Sequence, residues 1–276
     1  MDFFEILKAV ILGIVEGVTE WLPVSSTGHM ILFDEFVKLN VSEEFKELFL
    51  VVIQLGAIAA VPVYFFKRLN PFKKTESGYI DKPIMRLWLK VIVGVLPAAL
   101  LGVIFDDLLD TYLYNYIVVA IALIVYGVLF IVVERLNKNK EYRVKTVDEL
   151  TYKDALIIGA FQVLSLIPGT SRSGSTILGG IMTGVSRTAS AEFSFFMAIP
   201  VMLGASGLKV VKFILDGFVA TGAEIALLLV GIVVSFLVSL FVIKFLMDFV
   251  KRHSFSAFGV YRIILGIAVI SYFLVK

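Results

Sequence analysis

Cysteine is absent from the 276 residues of this chain, and histidine occurs only twice. The lack of cysteine excludes disulfide bonds and thiolate metal sites. Charged residues make up only 17% of the chain, and a formal net charge of +2 is too small to indicate a nucleic-acid partner. The sequence is therefore neither that of a disulfide-linked domain nor that of a basic nucleic-acid-binding protein.

Apolar residues are what the chain has in abundance. They make up 59% of it, and the mean hydropathy is +0.95, well above the apolar share of about 45–50% in soluble domains. The composition predicts an all-α polytopic membrane protein that forms a single membrane domain over residues 1–276. Six apolar segments are predicted to span the membrane, at residues 48–66, 88–105, 117–133, 193–208, 225–243 and 258–275. The N-terminus MDFFEILKAV has no positive region and no small-residue cleavage site, so we do not expect a removable signal peptide.

Basic residues are concentrated in two loops, around residues 67–86 and 135–153. By the positive-inside rule both loops are expected in the cytoplasm, which places both termini outside. Lys209 and Lys212 oppose this scheme, but the two basic loops outnumber them.

A polar stretch, GIVEGVTEWLPVSSTGHMIL, interrupts the apolar sequence at residues 13–32. Ionisable residues at membrane depth are costly and usually face a water-filled cavity or a partner. Glu16 and Glu20 are four residues apart and would share one helix face, while Pro23 would end that helix. This stretch is therefore the first candidate functional region.

A second stretch, GAFQVLSLIPGTSRSGSTIL at residues 159–178, repeats the order of the first: glycine, apolar helix, proline, hydroxyl-rich turn, glycine, apolar helix. Gly13 aligns with Gly159, and Gly28 aligns with Gly174, at one constant offset. The chain is therefore predicted to contain two homologous halves, residues 1–140 and 148–276. Three spans in the first half would reverse the orientation of the second, so the repeat is expected to be inverted.

Each polar stretch is predicted to form a re-entrant helix-loop-helix hairpin, because its two apolar arms are shorter than the roughly 20 residues that cross a bilayer. The alternative is a pair of tilted spans with a kink. In an inverted repeat the two hairpins would meet near the middle of the membrane.

The first hairpin carries groups suited to catalysis. Glu16 and Glu20 have the spacing to share a divalent cation, whose preferred ligands are oxygens. Ser26 is the predicted nucleophile, and His29 is the predicted general acid or base, with Glu20 assisting. Ser25 is expected to cap the following helix or to contact phosphate.

The second hairpin carries no acid but has Arg172 among hydroxyl groups. A guanidinium beside hydroxyls at a helix N-terminus is typical of a phosphate site. The alternative is an arginine that reaches to the membrane interface. The predicted phosphate-binding residues are Arg172, Ser25, Thr27, Ser171 and Ser173. Gln162 is left open between a bond across helices and a place in the pocket.

The run EGVTEWLPVSSTGH, followed about 145 residues later by PGTSRSGST, resembles the bacitracin-resistance type of undecaprenyl pyrophosphate phosphatase. The resemblance covers the whole chain and implies hydrolysis of undecaprenyl pyrophosphate to the monophosphate, which recycles the lipid carrier for cell-wall synthesis. It also implies a divalent cation such as Mg²⁺ or Ca²⁺, a location in the bacterial cytoplasmic (inner) membrane, and an active site that faces the outer side of that membrane. The family's functional positions fall on Glu16, Glu20, Ser25, Ser26, His29 and Arg172.

Two other classes of function compete with this interpretation. An ion-coupled transporter or flippase of isoprenyl lipid phosphate would also show inverted repeats and paired carboxylates, but it has no need of a nucleophile. A structural scaffold would not explain why polar residues are concentrated in the two repeats. The expected partners are undecaprenyl pyrophosphate and membrane lipid, and a homodimer is left open.

Overall fold

Helices make up most of this chain in a computed structural model, which describes residues 2–75, 78–113 and 115–275. They are α1 (Phe3–Thr19), α2 (Ser26–Phe36), α3 (Glu43–Val52), α4 (Gln54–Tyr64), α5 (Phe66–Leu69), α6 (Lys82–Leu113), α7 (Tyr116–Asn137), α8 (Tyr152–Val163), α9 (Arg172–Met182), α10 (Arg187–Leu215), α11 (Gly222–Val250) and α12 (Ser256–Val275).

Six helical segments of the described chain are long and apolar enough to cross a membrane, and each overlaps one predicted span. They are Glu43–Tyr64, Lys82–Phe105, Tyr116–Asn137, Arg187–Leu215, Gly222–Val250 and Ser256–Val275. The first of them consists of α3 and α4, which are interrupted at Ile53. The prediction of a helical, multi-pass membrane protein is confirmed.

The outward faces of these helices carry large apolar side chains. Val103, Phe241 and Ile264 are 75%, 76% and 61% exposed within the protein. Such exposure over long helices would be unfavourable in water, whereas hydrocarbon chains of the bilayer cover it at no cost. The exposed apolar surface is therefore the lipid-facing surface.

The two polar stretches each form a pair of short helices joined by a turn. The first pair is α1 and α2, with Pro23 in the turn. The second pair is α8 and α9, which are separated by a 3₁₀ turn at Leu164–Leu166 and by Pro168. We call these two pairs the first and the second hairpin, and the segments between their helices the first and the second turn.

Glycines let each hairpin pack closely against a long helix from the other part of the chain. A Cβ atom on Gly13 of α1 would lie 2.9 Å from the carbonyl oxygen of Gly231 on α11. On α8, a Cβ on Gly159 would lie 2.1 Å from the carbonyl oxygen of Gly94 on α6. Small residues allow helix backbones in membranes to approach in this way.

A two-stranded antiparallel ribbon, which the sequence did not predict, lies in the first basic loop. Its strands are β1 (Phe72–Thr75) and β2 (Gly78–Ile80). Nothing in the sequence indicated the ribbon, because this loop is rich in lysine and lysine is depleted in strands.

Candidate active site

Two serines begin the second helix of each hairpin with the same uncommon backbone conformation. Ser25 has φ 72° and Ser171 has φ 74°, and these are the only described non-glycine residues with positive φ. Each side chain caps its helix, since the Oγ accepts a hydrogen bond from the N–H of Gly28 at 3.3 Å or of Gly174 at 3.1 Å. Strained backbone of this kind is typical of functional turns.

The carboxylate of Glu20 links the first residues of the two helices that follow these caps. Its Oε2 accepts a hydrogen bond from Ser26 Oγ at 3.1 Å. Its Oε1 forms an ion pair with Arg172 Nη2 at 2.9 Å, and Arg172 Nε lies 3.3 Å away. The N-termini of α2 and α9 therefore converge on one anionic group, where their unpaired N–H groups and dipoles favour negative charge.

Other contacts hold the Arg172 guanidinium in place. Nη1 donates to the carbonyl oxygen of Ser194 on α10 at 2.9 Å, and the guanidinium carbon lies 6.0 Å from the centre of the Trp21 ring. Thr176 supports Ser194 through a 2.8 Å hydrogen bond between their hydroxyl groups. Only about a tenth of the Arg172 side chain is exposed, so it does not reach to the membrane interface.

Glu16 lies one helical turn before Glu20 and is 1% exposed. Its Oε1 has no hydrogen-bond partner among the described residues. A buried carboxylate oxygen without a partner is costly, and a bound cation is one way to satisfy it. No cluster of three or more His, Cys, Asp or Glu side chains that could hold a metal ion is found in the described part of the chain.

His29 is bonded differently from the sequence-based expectation. Its Nδ1 lies 2.7 Å from the carbonyl oxygen of Ser25, and its Nε2 lies 2.7 Å from the hydroxyl of Tyr261 on α12. Because a carbonyl only accepts, the neutral ring carries its proton on Nδ1, and Nε2 accepts from Tyr261. Within the described residues the hydroxyl of Ser26 bonds to Glu20 and makes no bond to His29.

The remaining predicted phosphate ligands lie at the N-termini of α2 and α9 or directly before them. Ser173 is buried, and its hydroxyl lies 3.3 Å from the carbonyl oxygen of Glu20, so it connects the hairpins. The hydroxyl of Ser171 lies 3.2 Å from that of Ser173. Thr27 is half-buried, and its hydroxyl makes no hydrogen bond to any described residue.

The sequence analysis missed the contribution of α12. Tyr261 contacts His29, and the next residue, Arg262, is completely buried and bonded to both turns. The available signal was an arginine in the middle of an otherwise apolar span, which is rare without a function. Ser194 was also not assigned to the site. Gln162, which the sequence left open between two roles, is buried, and both of its amide atoms lack a hydrogen-bond partner among the described residues.

An apolar cleft begins beside His29. Its volume is 550 Å³, which is within the range of about 300–1,000 Å³ for ligand pockets. Helices α1, α2, α11 and α12 form its walls, and the side chains that line it are apolar except for a few polar groups such as Thr19, His29 and Tyr261. The candidate active site thus has a charged part between the hairpins and an apolar part beside them.

A comparison of the whole sequence with protein families decides the identity of this fold. The family model described as bacitracin resistance protein BacA matches residues 9–268. The chain belongs to the BacA family. The match begins within α1 and ends within α12, so it includes both turns and every side chain of the site described above.

Curated BacA relatives match over nearly their full length. The undecaprenyl-diphosphatase of Acetivibrio thermocellus is 60% identical over 270 residues, which are 98% of each chain. One from Enterococcus faecalis is 57% identical over 272 residues, again 98% of each chain. Undecaprenyl-diphosphatase 1 of Clostridium acetobutylicum is 53% identical over 276 residues, which are 100% of both chains.

Proposed function

We propose that this BacA protein is an integral membrane phosphatase that hydrolyses undecaprenyl pyrophosphate to undecaprenyl phosphate and inorganic phosphate. Relatives with 53–60% identity over almost the whole chain carry the name of this enzyme. The reaction recycles the lipid carrier for cell-wall synthesis, and the family name implies that it confers resistance to bacitracin. The observation that carries the proposal is the convergence of Ser26, Arg172 and two helix N-termini on the Glu20 carboxylate.

The terminal phosphate of the substrate would replace the Glu20 carboxylate on Arg172. Helix N-termini and a fixed guanidinium are general anion-binding groups, and without substrate Glu20 pairs with the guanidinium. A phosphate dianion that binds Arg172 would compete with Glu20 for it. Glu20 would then keep its bond to Ser26 and be free to accept a proton. Thr27, Ser171 and Ser173 would add hydroxyl contacts from the two turns.

Ser26 is the proposed nucleophile. Its Oγ attacks the terminal phosphorus while Glu20 takes the hydroxyl proton, and the bond to the bridging oxygen breaks to release undecaprenyl phosphate. Water then attacks the phosphoserine, which releases inorganic phosphate and returns the proton to Ser26. The protein's contribution is mainly positioning and charge stabilisation, as in other phosphoryl transfers.

His29 is proposed to act as the acid or base for the water step. Its Nδ1 proton is fixed by Ser25, so Nε2 is the nitrogen that exchanges protons, through or in place of Tyr261. A rival mechanism has His29 or an activated water attack the phosphorus directly. Trapping of a phosphoserine at Ser26 after a rapid quench would support the first mechanism, and its absence during turnover would support the rival.

A divalent cation, Mg²⁺ or Ca²⁺, is proposed as the cofactor. The donor set fits, because Mg²⁺ is commonly held by one or two carboxylates together with substrate phosphates and water. Glu16 and Glu20 would hold it, and the unpartnered Oε1 of Glu16 supports this assignment. When bound, the cation would neutralise charge on the pyrophosphate oxygens.

The apolar cleft beside His29 is the proposed site for the start of the isoprenyl chain. The cleft is lined by His29 of the proposed site, and its apolar walls match a hydrocarbon chain. The rest of the chain would remain in the bilayer, since exposed apolar helix surface surrounds this region.

The proposed architecture is an inverted repeat with two re-entrant hairpins. Three observations support it: Ser25 and Ser171 share positive φ at the offset of 146 residues, α1 packs on α11 as α8 packs on α6, and α7 and α12 approach reciprocally. In that approach, a Cβ on Gly127 would lie 2.7 Å from Gly259 O, and one on Gly259 would lie 2.6 Å from Gly127 O. Reciprocal contacts are characteristic of a two-fold axis.

The proposed location is the cytoplasmic membrane, with the active site open to the outer side. Since the chain has no cysteine, single cysteines can be introduced at Asp216 and at Lys140 and treated with a membrane-impermeant reagent in whole cells. Labelling at residue 216 alone supports this orientation, and labelling at residue 140 alone reverses it. The homodimer remains a prediction, which light scattering of the purified protein would test.

The activity is tested by phosphate release from undecaprenyl pyrophosphate with the purified full-length protein, with and without EDTA. Wild type should release phosphate only with the cation, while Ser26→Ala, His29→Ala and Arg172→Ala should each lose about 10²-fold or more of the rate. Ser206→Ala is the matched control, because Ser206 is also buried but lies on α10, where its hydroxyl donates to Val51 O outside both hairpins. If wild type binds the lipid but releases no phosphate, the enzyme assignment fails and a carrier takes its place.

A further inference from the structure

Arg262 of α12 is 0% exposed, and within the described part of the chain its guanidinium donates only to backbone carbonyl groups. Nη1 donates to Pro23 O at 3.1 Å, and Nη2 donates to Gly169 O and Thr170 O, each at 2.9 Å. Longer contacts of 3.5 Å reach two carbonyl oxygens of α7. Among the described residues, no carboxylate forms an ion pair with Arg262.

A buried guanidinium at this position lowers the stability of the fold. Removing its charge from water costs several kcal/mol, and hydrogen bonds to carbonyl groups offset only part of that cost. A leucine or methionine would pack among apolar helices without any such penalty. The reason for an arginine must therefore lie in what its donors hold.

The bonded carbonyl groups belong to the two turns of the site. Pro23 precedes the strained Ser25 by two residues, and Thr170 directly precedes the strained Ser171. The planar guanidinium has five donors in a fixed arrangement, so one side chain connects both turns at a defined separation. The guanidinium also approaches the N-terminus of α9, since a Cβ on Gly174 would lie 3.3 Å from Nη1.

The ion pair of Glu20 with Arg172 is a second connection between the hairpins. In the proposed function, substrate would break this ion pair. Arg262 donates to backbone atoms that take no part in the chemistry, so its connection remains when phosphate binds. We infer that Arg262 is a positioning residue, which fixes the distance between Ser26 on the first hairpin and Arg172 on the second during the reaction. This inference rests on the proposed function.

The central test replaces Arg262 by lysine, which keeps the charge and most of the volume but cannot form the fork of hydrogen bonds. At a temperature well below unfolding, kcat should fall by about 10- to 100-fold, because a displacement of about 1 Å can cost about 10²-fold in rate. KM should stay within about threefold of wild type, since the isoprenyl chain supplies most of the ground-state binding and is untouched. Arg187→Lys is the matched control: Arg187 is paired with Glu134 on α7, outside both turns, and this variant should keep its kcat even if it melts earlier.

A second variant disturbs the same contact without changing Arg262, in case Arg262→Lys fails to fold. Gly174→Ala places a methyl group against Nη1 of Arg262 and should lower kcat several-fold at unchanged KM. Gly207→Ala is its control, since no atom lies within 4 Å of the added Cβ, and it should behave as wild type.

A measurement that does not depend on activity separates failure of this inference from failure of the proposed function. Spin labels on cysteines at Phe36 of α2 and Leu164 of the second hairpin, both exposed, report the distance between the hairpins. Arg262→Lys should broaden or shift that distance distribution, and Arg187→Lys should leave it unchanged. An unchanged distribution, or a wild-type kcat in folded Arg262→Lys and in Gly174→Ala, would overturn the inference. Broadening in a protein that releases no phosphate would uphold the connection between the turns and reject only the phosphatase.

Discussion

The first and second turns have nearly the same backbone and opposite chemistry. Both place a serine at positive φ, 72° and 74°, and both use its hydroxyl to cap the next helix. After the cap, however, the first turn continues with Ser26 and has Glu20 before it, whereas the second continues with Arg172. The comparison shows that the same turn conformation can be used twice in one site. The side chains next to the capping serine determine that the first turn supplies the carboxylate and the second supplies the anion-binding arginine.

The strongest way to break this comparison is to remove the carboxylate that joins the two turns. Glu20→Gln keeps a hydrogen-bond acceptor for Ser26 but loses the proton acceptor and the ion pair with Arg172. We expect kcat for phosphate release to fall by about 10²- to 10⁴-fold, which is the usual contribution of a general base. Glu47→Gln, which removes the exposed ion pair with Lys209, should keep full activity. A Glu20→Gln variant within threefold of wild type would remove Glu20 from the mechanism.

The corresponding change in the second turn is Arg172→Lys. Lysine keeps the positive charge but cannot bond Glu20 and Ser194 O together, so the clamp loses its geometry. Phosphate release should slow by about 10²- to 10³-fold, as when one preorganised donor is removed from a transition state. Inhibition by inorganic pyrophosphate should weaken in parallel. Arg68→Lys, at an ion pair with Asp148 outside both turns, should change neither quantity.

Glu16→Gln makes the first hairpin resemble the second, where Gln162 is at the equivalent position. Because cation affinity depends on the number of charged ligands, the Mg²⁺ concentration that gives half-maximal activity should rise by about tenfold. The rate at saturating Mg²⁺ should change much less. Gln162→Met, its counterpart, should leave the cation requirement as in wild type. Equal cation requirements in all three proteins would show that Glu16 is no ligand.

The smallest expected effect concerns the shared backbone itself. Alanine at Ser25 or Ser171 removes the side-chain cap but must still adopt positive φ, so it should lower the free energy of unfolding by about 1 kcal/mol. Glycine also lacks the cap but adopts positive φ without strain, so it should lower the free energy of unfolding by only a few tenths of a kcal/mol. Each glycine variant should therefore melt about 2 °C above its alanine counterpart in a thermal scan. The order should be the same at both positions. Opposite orders at the two positions would mean that the turns are not equivalent.

The positions of the predicted groups illustrate how far sequence reasoning reaches. The six spans follow from the lengths of the apolar segments, and the two hairpins follow from the prolines that end their first helices. Both signals depend only on residues that are close together in the sequence. The proximity of Arg172 to Glu20 followed from the repeat. The partner of His29 did not follow, since Tyr261 is 232 residues away and its own residue type does not distinguish it from other tyrosines in apolar spans.

What the amino-acid sequence determined by itself was a helical membrane protein with six spans and two polar interruptions, because apolar length, charge bias and turn residues act over short stretches of chain. Only the tertiary structure decided which groups meet: Ser26 with Glu20, His29 with Tyr261, and Arg262 with both turns. The physical reason is that these contacts join helices far apart in the chain, where close packing through glycines sets the distances. Arg262 lies among apolar residues in the sequence, which indicates that its side chain has a partner. Only the fold shows that its partners are carbonyl groups of the two turns.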